Sequence, residues 1–299
     1  MLRFELWFPD PRFIGTTMTS DLERLIQATH ADPFSYLGMH KGKQGIDVRV
    51  MDPTAASVAI IELDSSGPGA ACEQIDAAGV FEVWLDSTEL FAYELLITDA
   101  EGQQRRCRDP YSFWPMVTDY DQHLFNEGAH HRIHDVMGAH VRDAGGVRGV
   151  HFSVWAPGAC RVSVVGDFNA WDGRRHQMRS LGVSGLWEIF LPDLTPGTVY
   201  KYEICTGDGE LLEKADPCAQ ASEIPPRTAS IVAQPDALMW SDADWISQRE
   251  QKQWLKEPVS IYELHVGSWR RENGVALGWR QLAHELSEYI HDLGFTHVE

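Results

Sequence analysis

The sequence predicts a mainly β protein: two tandem immunoglobulin-like β-sandwiches, followed by the opening of an α/β domain. Three observations carry this. A series of strand-like blocks occurs twice in the same order. Turn pairs separate the blocks: Asp52-Pro53, Gly67-Pro68-Gly69, Asp172-Gly173, Pro196-Gly197 and Asp208-Gly209. Short strands at this spacing, over about 90–100 residues per copy, are the pattern of a sandwich. After residue 258 a near-continuous apolar run of strand type is followed by residues that recur at helical spacing.

The first ordered element is a predicted helix. Ser20-Asp21-Leu22-Glu23 fits a capping box, with Leu22, Leu25 and Ile26 on one face. Its expected end is near Ala31-Asp32-Pro33, because proline cannot continue the ladder. Residues 1–17, with two prolines and an acid in the apolar opening, make a poor signal peptide and are expected to be an unstructured leader.

The repeat follows. Residues 37–53 echo 137–157, FEVWL (81–85) echoes WEIFL (187–191), YELLI (93–97) echoes YKYEI (200–204), and RDPYS (108–112) echoes KADPC (214–218). The offset grows from 100 at Gly38/Gly138 to 104 at Pro53/Pro157, 106 at Leu85/Leu191 and 107 at Tyr93/Tyr200 and Pro110/Pro217. A steady rise is what one duplicated unit shows when its second copy gains loop residues. Within the copies Val48, Val50, Phe152 and Val154 alternate at period two, as half-buried strands require. The expected division is a first sandwich over 18–118, a connector over 119–142, a second sandwich over 143–234, and a linker with the start of a further domain over 235–299. The connector holds His130, His131 and His134, but no local Glu or Cys completes a ligand set, so it reads as a polar linker without a metal.

Composition narrows the partners. The 25 Lys and Arg against 44 Asp and Glu give a net charge of -19. Such a chain repels phosphate backbones and anionic lipid, so neither nucleic acid nor a membrane surface is the expected partner. A neutral ligand such as a sugar is not excluded. No apolar run approaches the length of a membrane span. The five cysteines are odd in number, scattered and free of CxxC, which suits free thiols in a reducing, cytoplasmic setting.

The most pointed stretch is VGDFNAWDGRRHQM (165–178). Gly166 and Asp167 close a strand, Asn169 suits a turn, and Asp172-Gly173 is a tight-turn pair, which places Trp171 on a loop. A large ring at a turn either caps the core or offers a flat face to a sugar ring. The residues alone leave both open. The stretches FSVWAP (152–157), GDFNAW (166–171), YKY (200–202) and DP (216–217) resemble the family-48 carbohydrate-binding module. That resemblance implies an α-1,4-glucan as partner, with Trp171, Lys201 and Asn169 at its binding face. A second tryptophan of such modules has no counterpart here; its place is near Leu211.

The last forty residues are expected to form a strand over Val259–Val266, then a helix with Trp279, Leu282, Leu286, Ile290 and Leu293 on one stripe. A second strand begins at Phe295. One βαβ unit cannot cover that stripe by itself, so the chain is expected to lack the C-terminal remainder of this domain. SIYELHVGSW (260–269) with LGFTHVE (293–299) resembles the opening of the glycoside hydrolase family 13 barrel, which implies an incomplete (β/α)8 barrel. Taken together, residues 20–299 resemble the N-terminal part of bacterial 1,4-α-glucan branching enzymes. Such enzymes cut an α-1,4 link and rejoin the segment to a 6-hydroxyl, using carboxylates at the ends of later barrel strands. None of Asp244, Glu263, Glu285, Glu288 or Asp292 matches those motifs, so no catalytic residue is expected within 1–299 and no cofactor is implied. A stand-alone glucan-targeting module and a related trehalose-releasing or debranching hydrolase are the alternatives.

Overall fold

The computed structural model describes residues 20–42, 45–63, 69–234 and 240–299. The leader expected over 1–17 lies outside these residues. The chain divides into two compact units, Met1–Pro235 and Asp236–Glu299.

Helix α1 (Asp21–Ile26) begins with the expected capping box: Glu23 N–H donates to Ser20 Oγ, and Ser20 N–H donates to Glu23 at 2.8 Å. It stops earlier than the proline implied. Ala28 adopts a left-handed conformation at φ 53°, which breaks the ladder well before Pro33.

The strands of the first half are β1 (Gly38–Lys41), β2 (Ile46–Met51), β3 (Ala55–Glu62), β4 (Ala70–Ala71), β5 (Glu73–Asp76), β6 (Val80–Leu85), β7 (Tyr93–Asp99) and β8 (Gln104–Arg108). They form two antiparallel sheets, β1-β2-β6-β5 and β4-β3-β7-β8. Alternation turns Ile46, Val48, Val50 and Phe81 of one sheet toward Val58, Ile60, Tyr93, Leu95 and Ile97 of the other, and these side chains make one buried core.

Helix α2 (Asp119–Asn126) then runs through the expected connector, capped by Thr118 and Asp121. His130 Nε2 donates to the Asp121 carboxylate at 3.0 Å. Among the described residues no three His, Cys, Asp or Glu side chains gather as a metal site.

The second half contains β9 (Gly138–Ala144), β10 (Val147–Trp155), β11 (Ala159–Gly166), β12 (Arg179–Ser180), β13 (Leu186–Pro192), β14 (Val199–Thr206), β15 (Leu211–Lys214), β16 (Ala221–Ser222) and β17 (Ser230–Ile231). One sheet is β12-β13-β10-β9; the other is β11-β14-β17-β16, with β15 on β14. Val150, Phe152, Val154 and Ile189 pack on Val162, Val164, Tyr200 and Tyr202.

The repeat is visible in detail. β1-β2-β6 corresponds to β9-β10-β13, and β3-β7-β8 to β11-β14-β15. Tyr93 donates its hydroxyl to Asp109 at 2.5 Å, and Tyr200 to Asp216 at 2.6 Å. The other oxygen of each aspartate accepts a backbone N–H two residues on, from Tyr111 and from Cys218. Gly38 and Gly138 both have positive φ, and a Cβ on either would fall within 3.0 Å of a carbonyl, that of Tyr111 or of Cys218. Alternation alone could produce similar sheets. It does not produce the same buried Tyr–Asp bond at the same offset.

The two halves meet through buried polar groups. Glu188 on β13 is 1% exposed. Its carboxylate accepts the N–H groups of Met116 and Val117 at 3.0 and 2.9 Å, bonds His151 at 3.0 Å, and lies 3.4 Å from Arg179. Burial pushes the Glu188 carboxyl up, but the His151 bond and charge, the Val117 bond and the Arg179 charge outweigh burial and hold its pKa below the usual value. Arg179 stacks on Phe34 at 3.4 Å and donates to the Phe113 carbonyl at 2.6 Å. Arg161, 1% exposed, donates to the Ala28 carbonyl at 2.7 Å, to Ser163, to Gly173 and to Glu203 at 2.6 Å.

In the second unit are α3 (Ala243–Gln251), β18 (Ile261–Tyr262), α4 (Val266–Trp269), the hairpin β19 (Arg271–Glu272) with β20 (Val275–Ala276), α5 (Trp279–Asp292) and β21 (His297–Val298). β18 and β21 pair in parallel with α5 between them in sequence, the expected strand–helix–strand order. The long buried strand expected over 259–266 is not present. The strand proper covers Ile261 and Tyr262, with backbone bonds to β21 and its flanks from Ser260 to Leu264; Val259 and Ile261 are exposed, and the chain turns into α4 at His265. Of the α5 stripe Leu282 is buried, whereas Trp279 and Leu293 are exposed. Among the described residues no helix is long and apolar enough to cross a membrane.

Replacing Glu188 with alanine leaves Arg179, His151 and two buried N–H groups without their acceptor. Urea denaturation should show a loss of about 3–5 kcal/mol; a loss under about 1 kcal/mol contradicts the role given to this carboxylate.

Candidate functional site

Trp171 lies on the turn that leaves β11. Gly166 ends that strand where a Cβ would fall 2.5 Å from the Val199 carbonyl. Residues Asp167–Asn169 then form one 3-10 turn, and Ala170 and Trp171 follow at φ 56° and 59°. Two successive non-glycine residues in the left-handed region are uncommon, and for a residue as large as tryptophan this is an outlier. Each such residue costs roughly 1–2 kcal/mol.

Asn169 holds this conformation. It is fully buried, its Oδ1 accepts the Gly166 N–H at 3.0 Å, and its Nδ2 donates to the Val164 carbonyl at 2.9 Å and to His176 Nδ1 at 2.9 Å. The sequence expectation placed Asn169 at the sugar face. Its polar atoms are instead spent inside the protein, and its place is beneath the turn. The Trp171 N–H bonds the Gly166 carbonyl at 2.9 Å, and the indole Nε1 donates to Asp167 at 2.8 Å. The indole is half-buried. The chain then continues through Asp172, whose carboxylate pairs with Arg174 at 2.6 Å. Gly173 lies against the Arg161–Glu203 pair, where a Cβ would fall 2.0 Å from Glu203 Oε1.

Lys201 is on β14, opposite Val165 in the register and so one residue from the start of the turn. Tyr200 and Tyr202 beside it are in the core, which turns Lys201 to the outer face. Its Nζ is 3.7 Å from Glu213 on β15. The duplicated first half has Glu94 and Arg106 at the matching places, paired at 2.6 Å. The cross-strand pair is kept and its charges are exchanged. Leu211, near the place of the absent second tryptophan, is 59% exposed.

Sequence reading missed Phe168 and His176, whose rings lie 5.6 Å apart beneath the turn. Neither has a spacing that would have marked it. Burial foremost, with the Arg175 charge, lowers the His176 pKa from 6.5 to about 3, which keeps the ring neutral and Nδ1 able to accept from Asn169. An unfolded chain protonates this histidine near pH 6.5, so its stabilising contribution is whole above that pH and is lost as pH falls toward 3. Asp109 has the opposite sign: burial raises it from 3.8 to about 6, so its contribution falls as pH rises through that window. A His176→Gln variant separates the two. Between pH 6.5 and 5 the wild type should lose about 2 kcal/mol more than the variant in urea titrations; parallel pH curves contradict this.

Residues 18–111 match the family model described as alpha-1,4-glucan branching enzyme GlgB, N-terminal domain. Residues 136–219 match Carbohydrate-binding module 48 (Isoamylase N-terminal domain). The 1,4-alpha-glucan branching enzyme GlgB of Pseudomonas putida is 48% identical over 292 residues, which cover 95% of this chain and 39% of that protein. The protein of the same name from Methylococcus capsulatus is 43% identical over 286 residues, covering 94% and 38%. The chain thus spans less than half the length of the curated relatives it matches. A pullulanase structure from Anoxybacillus sp. LM18-11 aligns with 87% of this chain at 16% identity and a TM-score of 0.37, too distant to carry a structural argument. With matches first to the GlgB N-terminal domain model and then to the carbohydrate-binding module 48 model, the chain is similar to the N-terminal part of the 1,4-alpha-glucan branching enzymes.

Proposed function

We propose that residues 166–171 and Lys201 form a glucan-binding face, and that this chain serves a 1,4-α-glucan branching enzyme in glycogen synthesis. The observation that carries the binding face is the left-handed Ala170–Trp171 pair. Local strain persists where the surroundings over-determine it, and such sites cluster at ligand contacts. Here Asn169, Asp167 and Gly166 fix a half-exposed indole by four hydrogen bonds around the turn. A rigid indole face stacks on the C–H face of a glucose unit at little entropic cost, and Lys201 offers an ammonium donor to its hydroxyls. Asn169 acts by positioning Trp171.

The same reading assigns 18–118 and 143–234 to immunoglobulin-like sandwiches, 119–142 to their connector, and 235–299 to a linker and the opening of a (β/α)8 barrel. The parallel β18–β21 pair supports the last assignment. Five free cysteines support a cytoplasmic setting. Branching retains configuration: one carboxylate attacks the anomeric carbon, and a second carboxyl protonates the leaving oxygen and then takes the proton of the incoming 6-hydroxyl. In this reading both lie on later barrel strands, and neither Glu263 nor His265 takes part.

Glycogen pull-down tests the binding face. Trp171→Ala should weaken retention roughly tenfold, about 1.4 kcal/mol, and unchanged retention would reduce Trp171 to a cap on the core. A second measurement tests the catalytic assignment. The purified 299-residue chain should form no α-1,6 links from amylose, and links detected by enzymatic debranching would place the chemistry within it.

A further inference from the structure

The seam between the two halves of the first unit holds a partly open cavity of about 270 Å³. Leu95 and Ile97 of β7 form one wall; Phe168, Leu191 and Leu194 of the second half face it. Its polar lining is uneven. Arg105, Arg108 and Arg175 line it with two buried carboxylates, Asp52 and Asp109. Arg106 also lines it but pairs with Glu94, and Asp193 is exposed at the rim.

The two carboxylates are already committed. Asp52 Oδ1 accepts from the Thr54 N–H and hydroxyl, and its Oδ2 takes both Arg105 and Arg175. Asp109 accepts from Tyr93 and from the Tyr111 N–H. Arg105 and Arg175 share Asp52 and Arg106 pairs with Glu94, which leaves Arg108 as the lining guanidinium without an ion pair among the described residues. The buried Nε of Arg108 has no hydrogen-bond partner. A donor left so in a partly apolar cavity carries a desolvation cost that an acceptor from outside relieves.

We propose that this cavity is a binding site for a small organic monoanion, a carboxylate or sulfonate on an apolar body. The anionic head meets Arg108 and Arg105, through charge-assisted hydrogen bonds. The body lies against Leu95, Leu194 and Phe168. At about 270 Å³ the cavity lies at the small end of ligand pockets, which begin at about 300 Å³. Inorganic phosphate offers Arg108 an acceptor but leaves the apolar walls unfilled, and a neutral hydrocarbon leaves the Arg108 Nε without an acceptor. An occupant would touch Phe168 and His176, the two rings beneath the turn that carries Trp171. The site itself does not depend on glucan binding.

Isothermal titration of the 299-residue chain tests this with 1-naphthoate and its neutral isostere 1-naphthamide. The expected result is saturable one-to-one binding of naphthoate, with naphthamide roughly tenfold weaker, the usual worth of one charge-assisted bond. Arg108→Met should weaken naphthoate roughly tenfold and leave naphthamide unchanged. Leu194→Trp, which fills the cavity, should abolish both. Each variant's urea midpoint is measured alongside, and Arg108→Met carries the test if Leu194→Trp is unfolded. No saturable naphthoate binding, equal binding of the two probes, or unchanged naphthoate binding by Arg108→Met overturns the proposal.

Discussion

The arrangement depends on charge buried at the seam between two sheet pairs. Glu188 gathers two backbone N–H groups, His151 and Arg179 on one carboxylate. Arg161 reaches from β11 to the carbonyl of Ala28, outside its own half. Buried ion pairs of this kind add little net stability over an apolar contact, because desolvation offsets most of the attraction. What they add is intolerance of error. An apolar seam can slide and stay apolar, whereas a carboxylate holding four partners has one satisfactory position. The two halves therefore hold one register, and the cavity between them keeps its shape.

The second half repeats the first, and the comparison separates scaffold from site. The Tyr–Asp bonds, the positive-φ glycines and the bonds from His40 and His140 to backbone carbonyls recur in both copies. These belong to the scaffold: each fixes a loop to the end of a sheet. The exchange of Glu94–Arg106 for Lys201–Glu213 shows a cross-strand pair kept while its polarity was free to invert. An inverted pair serves the sheet equally well and presents a different group outward. In the second copy that group is a lysine, on the strand next to the turn that bears Trp171.

That turn shows how a fold uses burial to hold strain. Ala170 and Trp171 stay left-handed because Asn169, fully buried, has three partners that any other backbone path would leave unpaired. His176 can serve as one of them only while neutral, and burial beside Arg175 keeps it so. The Arg161 guanidinium fastens the far end of the same loop through the Gly173 carbonyl. Seam and loop thus share residues.

Local chemistry made much of this legible in advance. Period-two alternation marked the strands, the rising offset marked the duplication, and Ser20 with Glu23 marked the first helix cap, because each depends on neighbours in sequence. The aromatic on a turn was likewise visible in GDFNAWDG. Long-range contacts decided the rest. Nothing adjacent to Asn169 says whether its amide faces solvent or His176; burial beneath the turn settles that. The chain turns into α4 at His265, so β18 is shorter than the apolar run from Val259 to Val266 implied. Glu188, Arg161 and the cavity arise where residues some thirty to more than a hundred positions apart come together, so only tertiary structure could reveal them.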